Sequence, residues 1–143
     1  MKTNIITTLI LILLLQVAVK AQTNNYSEKE IIAMLRTFYT GYINATDRLN
    51  YNQKDTIVKK YCTALLQNQL YDEDIDYDVL LDGQFCETDW LKTMTIQKDS
   101  KANDIYNVRF FYNSDGRKVY KKIKLQIIKE NLKYKINKVI IDN

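Results

Sequence analysis

The side chains that could take part in chemistry are carboxylates and tyrosines, because the chain has 17 acidic residues and 11 tyrosines but no histidine. Histidine is the usual general base at neutral pH and a common zinc ligand, so its absence excludes most familiar hydrolase sites. A buried aspartate beside tyrosines can still transfer protons, and Asp47 with Tyr39, Tyr42 and Tyr106 is a conceivable set. Tyrosines that only pack produce the same pattern. The sequence therefore favours a protein without catalytic residues, with a histidine-free isomerase or lyase as an alternative.

The segment between positions 71 and 89 is strongly acidic and contains no lysine or arginine. Four of its acids alternate along the chain: Asp72, Asp74, Asp76 and Asp78. Several oxygens on a short loop suit calcium, but an EF-hand that began at Asp72 would need glycine and glutamate where the chain has Tyr77 and Gly83. We therefore expect a solvated acidic segment and predict no metal and no cofactor.

Residues 1–21 have the pattern of a signal peptide. Lys2 supplies the positive charge, residues 5–15 are mostly apolar, and Val19 and Ala21 precede a predicted cleavage at Gln22. The apolar run is shorter than the roughly 20 residues of a membrane-spanning helix, although an uncleaved anchor is an alternative. We expect the mature protein, residues 22–143, to be periplasmic or secreted, with no membrane contact after cleavage. With no proline and only 3 glycines there is no linker, which predicts a single domain.

The charge of the chain argues against nucleic acid as a partner. The net charge is +4, and the predicted loss of Lys2 and Lys20 leaves it close to neutral. Four lysines at alternating positions are expected to form a basic patch on the last hairpin: Lys122, Lys124, Lys133 and Lys135. Tyr120 is the only aromatic residue in register with them, whereas nucleic-acid sites usually contain several aromatic platforms. A solvated face is the simpler interpretation, and contact with an acidic protein surface is an alternative.

Cys62 and Cys86 are the only cysteines, and both lie in the part of the chain that is expected to reach an oxidising compartment. We therefore predict a disulfide between them. The alternative is two separate small core residues, because the sequence does not fix the distance between the two Cα atoms.

Apolar spacing predicts two helical regions before a sheet. Ser27 and Glu30 form a capping box, and a helix with Phe38 and Tyr42 on one face should end near residues 44–47. A second helical region is predicted from about Gln53 to Leu70, with a possible break near Cys62 or Thr63. Residues 71–89 are expected to be irregular.

From residue 90 onwards the apolar residues alternate, which predicts four antiparallel strands. The strands are expected at about residues 90–98, 106–112, 119–127 and 132–140, with turns at 113–116 and 130–131. One face is apolar and the other basic, so the helices should pack on the apolar face. This predicts an α+β fold in which N-terminal helices pack on a curved four-stranded antiparallel sheet.

Four short segments carry a resemblance to a known family: Met34–Tyr39, Lys60–Thr63, Asp76–Asp78 and Leu91–Ile96. Together with the signal sequence they resemble the exported bacterial family catalogued as domain of unknown function 3828, which is similar to nuclear-transport-factor-2-like, or cystatin-like, folds. The chain departs from the family pattern at Val79, where the family has proline, and at Phe85, where it has aspartate. The resemblance implies a cone-shaped domain with a pocket and implies no reaction.

These observations favour an exported, non-catalytic binding module for an unknown protein or small molecule. An alternative is a periplasmic immunity protein whose acidic segment blocks the basic site of a toxin. The predicted binding surface combines the first helix, the acidic segment and the sheet. Its candidate residues are Phe38, Tyr39, Tyr42, Asp76, Asp78, Trp90 and Tyr106.

Overall fold

The computed structural model describes residues 27–70 and 77–141, which form an α+β fold as predicted. Residues 27–47 are helical and are called α1. The other helices are α2 (Tyr51–Tyr61), α3 (Ala64–Leu70) and a 3-10 helix (Thr88–Lys92). The strands are β1 (Thr95–Lys98), β2 (Ile105–Ser114), β3 (Arg117–Glu130) and β4 (Lys133–Ile140).

The chain divides into two compact units, Met1–Ile31 and Ile32–Asn143. Of the first unit the structure describes residues 27–31, which are helical. The predicted signal peptide and its cleavage point lie outside the described residues, so export and the single domain over residues 22–143 stay predictions. Within the described ranges, no helix is both long and apolar enough to cross a membrane.

The four strands form one antiparallel sheet in which each strand pairs with the next along the chain. Alternating residues of β2 and β3 are buried on the inner face: Tyr106, Val108, Phe110, Ile123 and Leu125. The residues between them point to the outer face, as the alternating pattern predicts. The pairing of β3 with β4 shifts register between Gln126 and Ile127, an irregularity that bends a strand.

The helices of the second unit pack closely on one another and on the sheet. Phe38 of α1 contacts the edge of the Tyr61 ring of α2, with ring centres 5.9 Å apart. A Cβ on Gly41 would lie 2.9 Å from Cδ1 of Ile57, so glycine permits the close approach of α1 and α2. α2 and α3 both contact β4.

The second predicted helical region is broken at residues 62–63, as expected. Cys62 has extended backbone and forms a parallel bridge with Ile136 of β4. The N–H of Thr63 donates to the carbonyl of Ile136 at 2.9 Å. The break therefore exists because two residues leave the helical conformation and add to the sheet.

The first strand is shorter than predicted, because Trp90 lies in the 3-10 helix. The N–H of Trp90 donates to the carbonyl of Glu87 at 3.0 Å, which closes a helical turn. The Trp90 ring stacks on Phe110 and Tyr112, with ring centres 4.9 and 4.6 Å away. Packing against β2 therefore produced the apolar spacing that we interpreted as the start of a strand.

Candidate functional site

A polar cluster surrounds the carboxylate of Asp78. Its Oδ2 accepts a hydrogen bond from the Tyr42 hydroxyl at 2.8 Å and another from the Lys54 ammonium at 2.9 Å. Its Oδ1 accepts from the N–H of Leu80 at 3.0 Å. Lys54 Nζ also lies 4.9 Å from the centre of the Tyr42 ring, within the range of a cation–π interaction. We call Tyr42, Lys54 and Asp78 the Asp78 cluster.

Two helices supply the tyrosine and the lysine of this cluster. Tyr42 is buried on α1, where its ring stacks on Phe38 with ring centres 5.2 Å apart. Lys54 lies near the start of α2, whose N-cap residue Asn50 accepts a hydrogen bond from the N–H of Gln53. A side chain at an N-cap fixes where a helix begins, so Asn50 sets the position from which Lys54 extends.

A tight loop supplies the carboxylate. The N–H of Asp78 donates to the carbonyl of Gly83 at 3.0 Å, and the N–H of Leu81 donates to the carbonyl of Asp78 at 3.0 Å. Leu80 and Leu81 are buried, which fixes the loop in the core. Lys121 of β3 donates to the backbone carbonyl of Asp82 and pairs with its carboxylate at 3.3 Å. The loop from 78 to 83 is therefore fixed by its own backbone hydrogen bonds and by Lys121 of the sheet.

An open pocket of about 340 Å³ lies against the Asp78 cluster. Its lining includes all three cluster residues together with Tyr51, Tyr77 and Gln84. Tyr51 is 68% exposed and Tyr77 is 42% exposed, whereas the side chains of Lys54 and Asp78 are only 27% and 15% exposed. An adjoining pocket of about 190 Å³ shares Tyr51, Lys54 and Asp78 with the first. The ion pair thus forms a half-buried wall next to exposed aromatic rings.

The two tyrosines near Asp78 remain protonated at neutral pH. Burial, followed by the charge of Asp78 and the hydrogen bond to it, raises the pKa of Tyr42 above its ordinary value of 10.0. Burial, followed by Asp78 and Cys62, raises the pKa of Tyr39 well above that value. The Tyr39 hydroxyl is buried and has no hydrogen-bond partner among the residues that the structure describes. Both phenols therefore keep their protons, and of the two only Tyr42 donates a hydrogen bond within the described part of the chain.

Comparison with known proteins identifies the fold and no family. No family model matches the chain, and no curated protein matches it. A crystal structure of a protein of unknown function from Bacteroides thetaiotaomicron VPI-5482 superposes with a TM-score of 0.77 at 19% identity. The match covers 87% of this chain and 99% of that chain. The likeness shows a shared fold, and the resemblance to domain of unknown function 3828 stays a prediction.

Of the predicted site residues that the structure describes, only Tyr42 and Asp78 line the two pockets of the Asp78 cluster. The others described are buried in the core: Phe38, Tyr39, Trp90 and Tyr106. Asp76 lies outside the described residues, as do Asp72 and Asp74, so the predicted acidic surface and the calcium alternative stay untested there. Elsewhere in the described chain, no group of three metal-ligating side chains could hold a metal ion.

Sequence reasoning missed Lys54, Tyr51 and Tyr77. Lys54 is separated from Asp78 by 24 positions. No local sequence pattern links a lysine on a helix surface to a carboxylate in a distant loop. Tyr77 lies between Asp76 and Asp78, the two residues of this segment that the sequence favours as site residues. A search for aromatic residues within the acidic segment would have found Tyr77, but no sequence signal indicates Tyr51.

The predicted disulfide is contradicted by the structure, in which both cysteines are buried free thiols. Cys62 bridges to Ile136 of β4, whereas the Sγ of Cys86 lies 3.7 Å from the carbonyl oxygen of Ile43 on α1. The backbone of Cys62 and the thiol of Cys86 thus contact different neighbours. Burial raises the pKa of Cys62 to about 12 and that of Cys86 to about 11, so both remain protonated at neutral pH.

The conceivable catalytic set around Asp47 is not assembled. Asp47 is exposed at the end of α1 and accepts a hydrogen bond from the Thr88 hydroxyl at 2.5 Å. Asp78 is the acid that lies beside Tyr42, and it is already paired with Lys54.

The predicted lysine patch is also wrong in its pairing. Lys124 lies opposite Ile140, Lys135 opposite Ile128, and Lys133 opposite Glu130. The ammonium of Lys135 donates to the carbonyl of Lys60 at 2.6 Å, at the end of α2. Lys133 and Lys135 of β4 therefore lie near the Glu130 end of β3, away from Lys122 and Lys124.

Proposed function

We propose that the protein is an exported, non-catalytic binding module that holds a small polar molecule in the pocket beside Lys54 and Asp78. The observation that carries this proposal is the half-buried ion pair, which forms the wall of an open pocket next to two exposed tyrosines. Binding pockets typically combine aromatic surface with a few fixed polar groups. The exposed rings of Tyr51 and Tyr77 supply that surface here.

The chemistry of the pocket supports binding rather than turnover. Proton transfer needs a group that accepts a proton near neutral pH, and the chain has no histidine. Both hydrogen bonds to Asp78 Oδ2 come from groups within the protein. The raised pKa values of Tyr39 and Tyr42 keep these phenols protonated. Among the described residues that line the pocket, Tyr42 and Lys54 are therefore donors that are already directed to Asp78.

Lys54 indicates the kind of molecule that fits. An ammonium group has three N–H donors, and one of them is directed to Asp78. The others can reach an acceptor in the pocket, so we expect a ligand with a carboxylate or several hydroxyl oxygens and an apolar part that packs on Tyr51 or Tyr77.

A thermal-shift screen tests this proposal. The probes are amino acids, small carboxylic acids and monosaccharides, added to the purified protein and to the Lys54→Met variant. Lys92→Met is the matched control, because Lys92 is an exposed lysine in a surface pair with Asp89. We expect at least one probe that raises the unfolding temperature of the protein and of the control but not of Lys54→Met. The proposal fails if every stabilising probe acts equally on Lys54→Met.

A further inference from the structure

The second surface with unusual chemistry is the end of the β2–β3 hairpin. β1 pairs with β2 only as far as Arg109, and β4 pairs with β3 only as far as Lys124. Residues 110–121 therefore continue beyond the four-stranded part as a two-stranded ribbon, which we call the arm. Its inner face is occupied, since Phe110 and Tyr112 stack on Trp90.

The outer face of the arm carries an aromatic pair in which Phe111 is half-buried and Tyr120 is exposed. Phe111 and Tyr120 lie directly opposite each other, with ring centres 5.7 Å apart. Tyr120 is 71% exposed, although a tyrosine ring contributes stability mainly when it is buried. The ammonium of Lys118 lies 4.9 Å from the centre of the Phe111 ring. The pair stabilises the hairpin across its strands, and the exposed ring of Tyr120 leaves a surface open to a ligand.

Positive charge surrounds this pair. Between positions 109 and 122 the chain has one acid, Asp115, at the hairpin turn, and five basic residues, of which Arg109, Lys118 and Lys122 share the outer-face register of Tyr120. Lys121 is engaged with Asp82. Along β3, Lys118 and Tyr120 alternate on one face about 7 Å apart, so a cation and a ring lie side by side. The complement of this surface is a chain that carries rings and negative charges.

We propose that the outer face of the arm binds an acidic polysaccharide, an unbranched chain of sugar rings that bears carboxylates or sulfates. Tyr120 would pack on a sugar ring, and Lys118, together with Arg109 next to the base of the arm, would bind the anionic groups. Asn113, which lies opposite Lys118, offers an exposed amide to sugar hydroxyls. This inference is independent of the pocket beside Asp78.

The size of the arm favours a narrow chain over a folded protein. Five residue pairs, Phe110–Lys121 to Ser114–Arg117, give a face about 17 Å long and about 10 Å wide. A stable protein–protein interface covers about 800 Å² on each partner, which is several times this area. Single-stranded nucleic acid is also narrow and anionic, but the predicted export of the protein favours a polysaccharide.

Fluorescence anisotropy with labelled oligogalacturonate tests the proposal on the purified protein, with maltooligosaccharide and oligo(dT) as comparison probes. Tyr120→Ala should weaken oligogalacturonate binding about 5- to 150-fold, if the ring contributes as much as an aromatic side chain that stacks on a nucleobase. Lys118→Gln should weaken it and reduce its dependence on salt by about one counterion. Lys133→Gln is the matched control, because Lys133 is an exposed lysine of β4 that lies opposite Glu130, at the end of β3 away from the arm.

Each outcome decides the proposal. Salt-sensitive binding that is lost with Tyr120→Ala and Lys118→Gln but kept with Lys133→Gln supports it. Failure to bind oligogalacturonate, equal binding of the uncharged maltooligosaccharide, an equal loss with Lys133→Gln, or tighter binding of oligo(dT) overturns it. Unfolding temperatures of the variants should match that of the parent protein, because Tyr120 and Lys118 are both exposed.

Discussion

Replacing Tyr42 by phenylalanine removes one hydroxyl from the Asp78 cluster and leaves the aromatic ring in place. The hydroxyl donates to a carboxylate, and a hydrogen bond to a charged group contributes about 1.5–3 kcal/mol to stability. Asp78 keeps its bond from Lys54, so the carboxylate does not become an unpaired buried charge. We therefore expect a loss near the lower end, about 1.5–2 kcal/mol.

Tyr39→Phe is the matched control, because Tyr39 precedes Tyr42 by three positions on α1 and is equally buried. Its hydroxyl has no partner among the described residues, and a buried polar group without a partner is unfavourable. Removing it should leave stability unchanged or raise it by up to about 1 kcal/mol.

Urea unfolding at 25 °C and pH 7, followed by the emission of Trp90, measures both variants. With an m value of about 1–3 kcal/mol/M, a loss of 2 kcal/mol lowers the midpoint by about 1 M. Tyr42→Phe should show this shift with an unchanged m value, whereas Tyr39→Phe should not lower the midpoint. If Tyr39→Phe is the more destabilised of the two, the assignment of the stabilising hydrogen bond to Tyr42 is wrong.

Three further predictions concern the core. A thiol reagent should react slowly with the native protein and modify both Cys62 and Cys86 in urea without reductant, because both are buried free thiols; two thiols that stay blocked in urea would restore the disulfide. Stability in urea should fall as pH rises above about 9. The unfolded chain loses its thiol protons near the ordinary pKa of 9.0, whereas in the native state burial raises the pKa of Cys86 to about 11 and that of Cys62 to about 12. A flat stability profile from pH 8 to 10.5 would contradict this. Trp90→Ala should cost about 3–5 kcal/mol in urea unfolding, followed by far-ultraviolet circular dichroism because the substitution removes the single tryptophan; a loss as small as that of Trp90→Phe would show that stacking on β2 contributes little.

The periodic parts of the fold could be predicted from sequence because burial repeats at a fixed interval. Phe38 and Tyr42 are four residues apart on a helix, and both are buried as the spacing predicts. Alternation in β2 likewise predicted the inner face that includes Phe110. Trp90 shows the limit of this reasoning, because a residue in a 3-10 turn can satisfy an alternating pattern when it packs on the next strand.

The site was less predictable, because its geometry depends on contacts between distant positions. Tyr42 and Asp78 were selected by residue type, but their partner Lys54 comes from a helix whose position is fixed by packing. The cysteine pairing failed for a related reason, since Cys62 and Cys86 face different neighbours that no spacing rule reveals. The predicted lysine patch was wrong because the strand register places Lys133 opposite Glu130, beside the turn between β3 and β4.

The two extended residues between α2 and α3 have a consequence for behaviour at high concentration. Cys62 and Thr63 lie along β4, the last strand of the sheet, and Thr63 bonds to the carbonyl of Ile136. An outermost strand with open backbone groups is a template on which another molecule can add a strand, the first step of aggregation. Cys62 and Thr63 cover the outer edge of β4 at Ile136. A substitution that detaches them would expose this edge to strands of other molecules and would also loosen the helices.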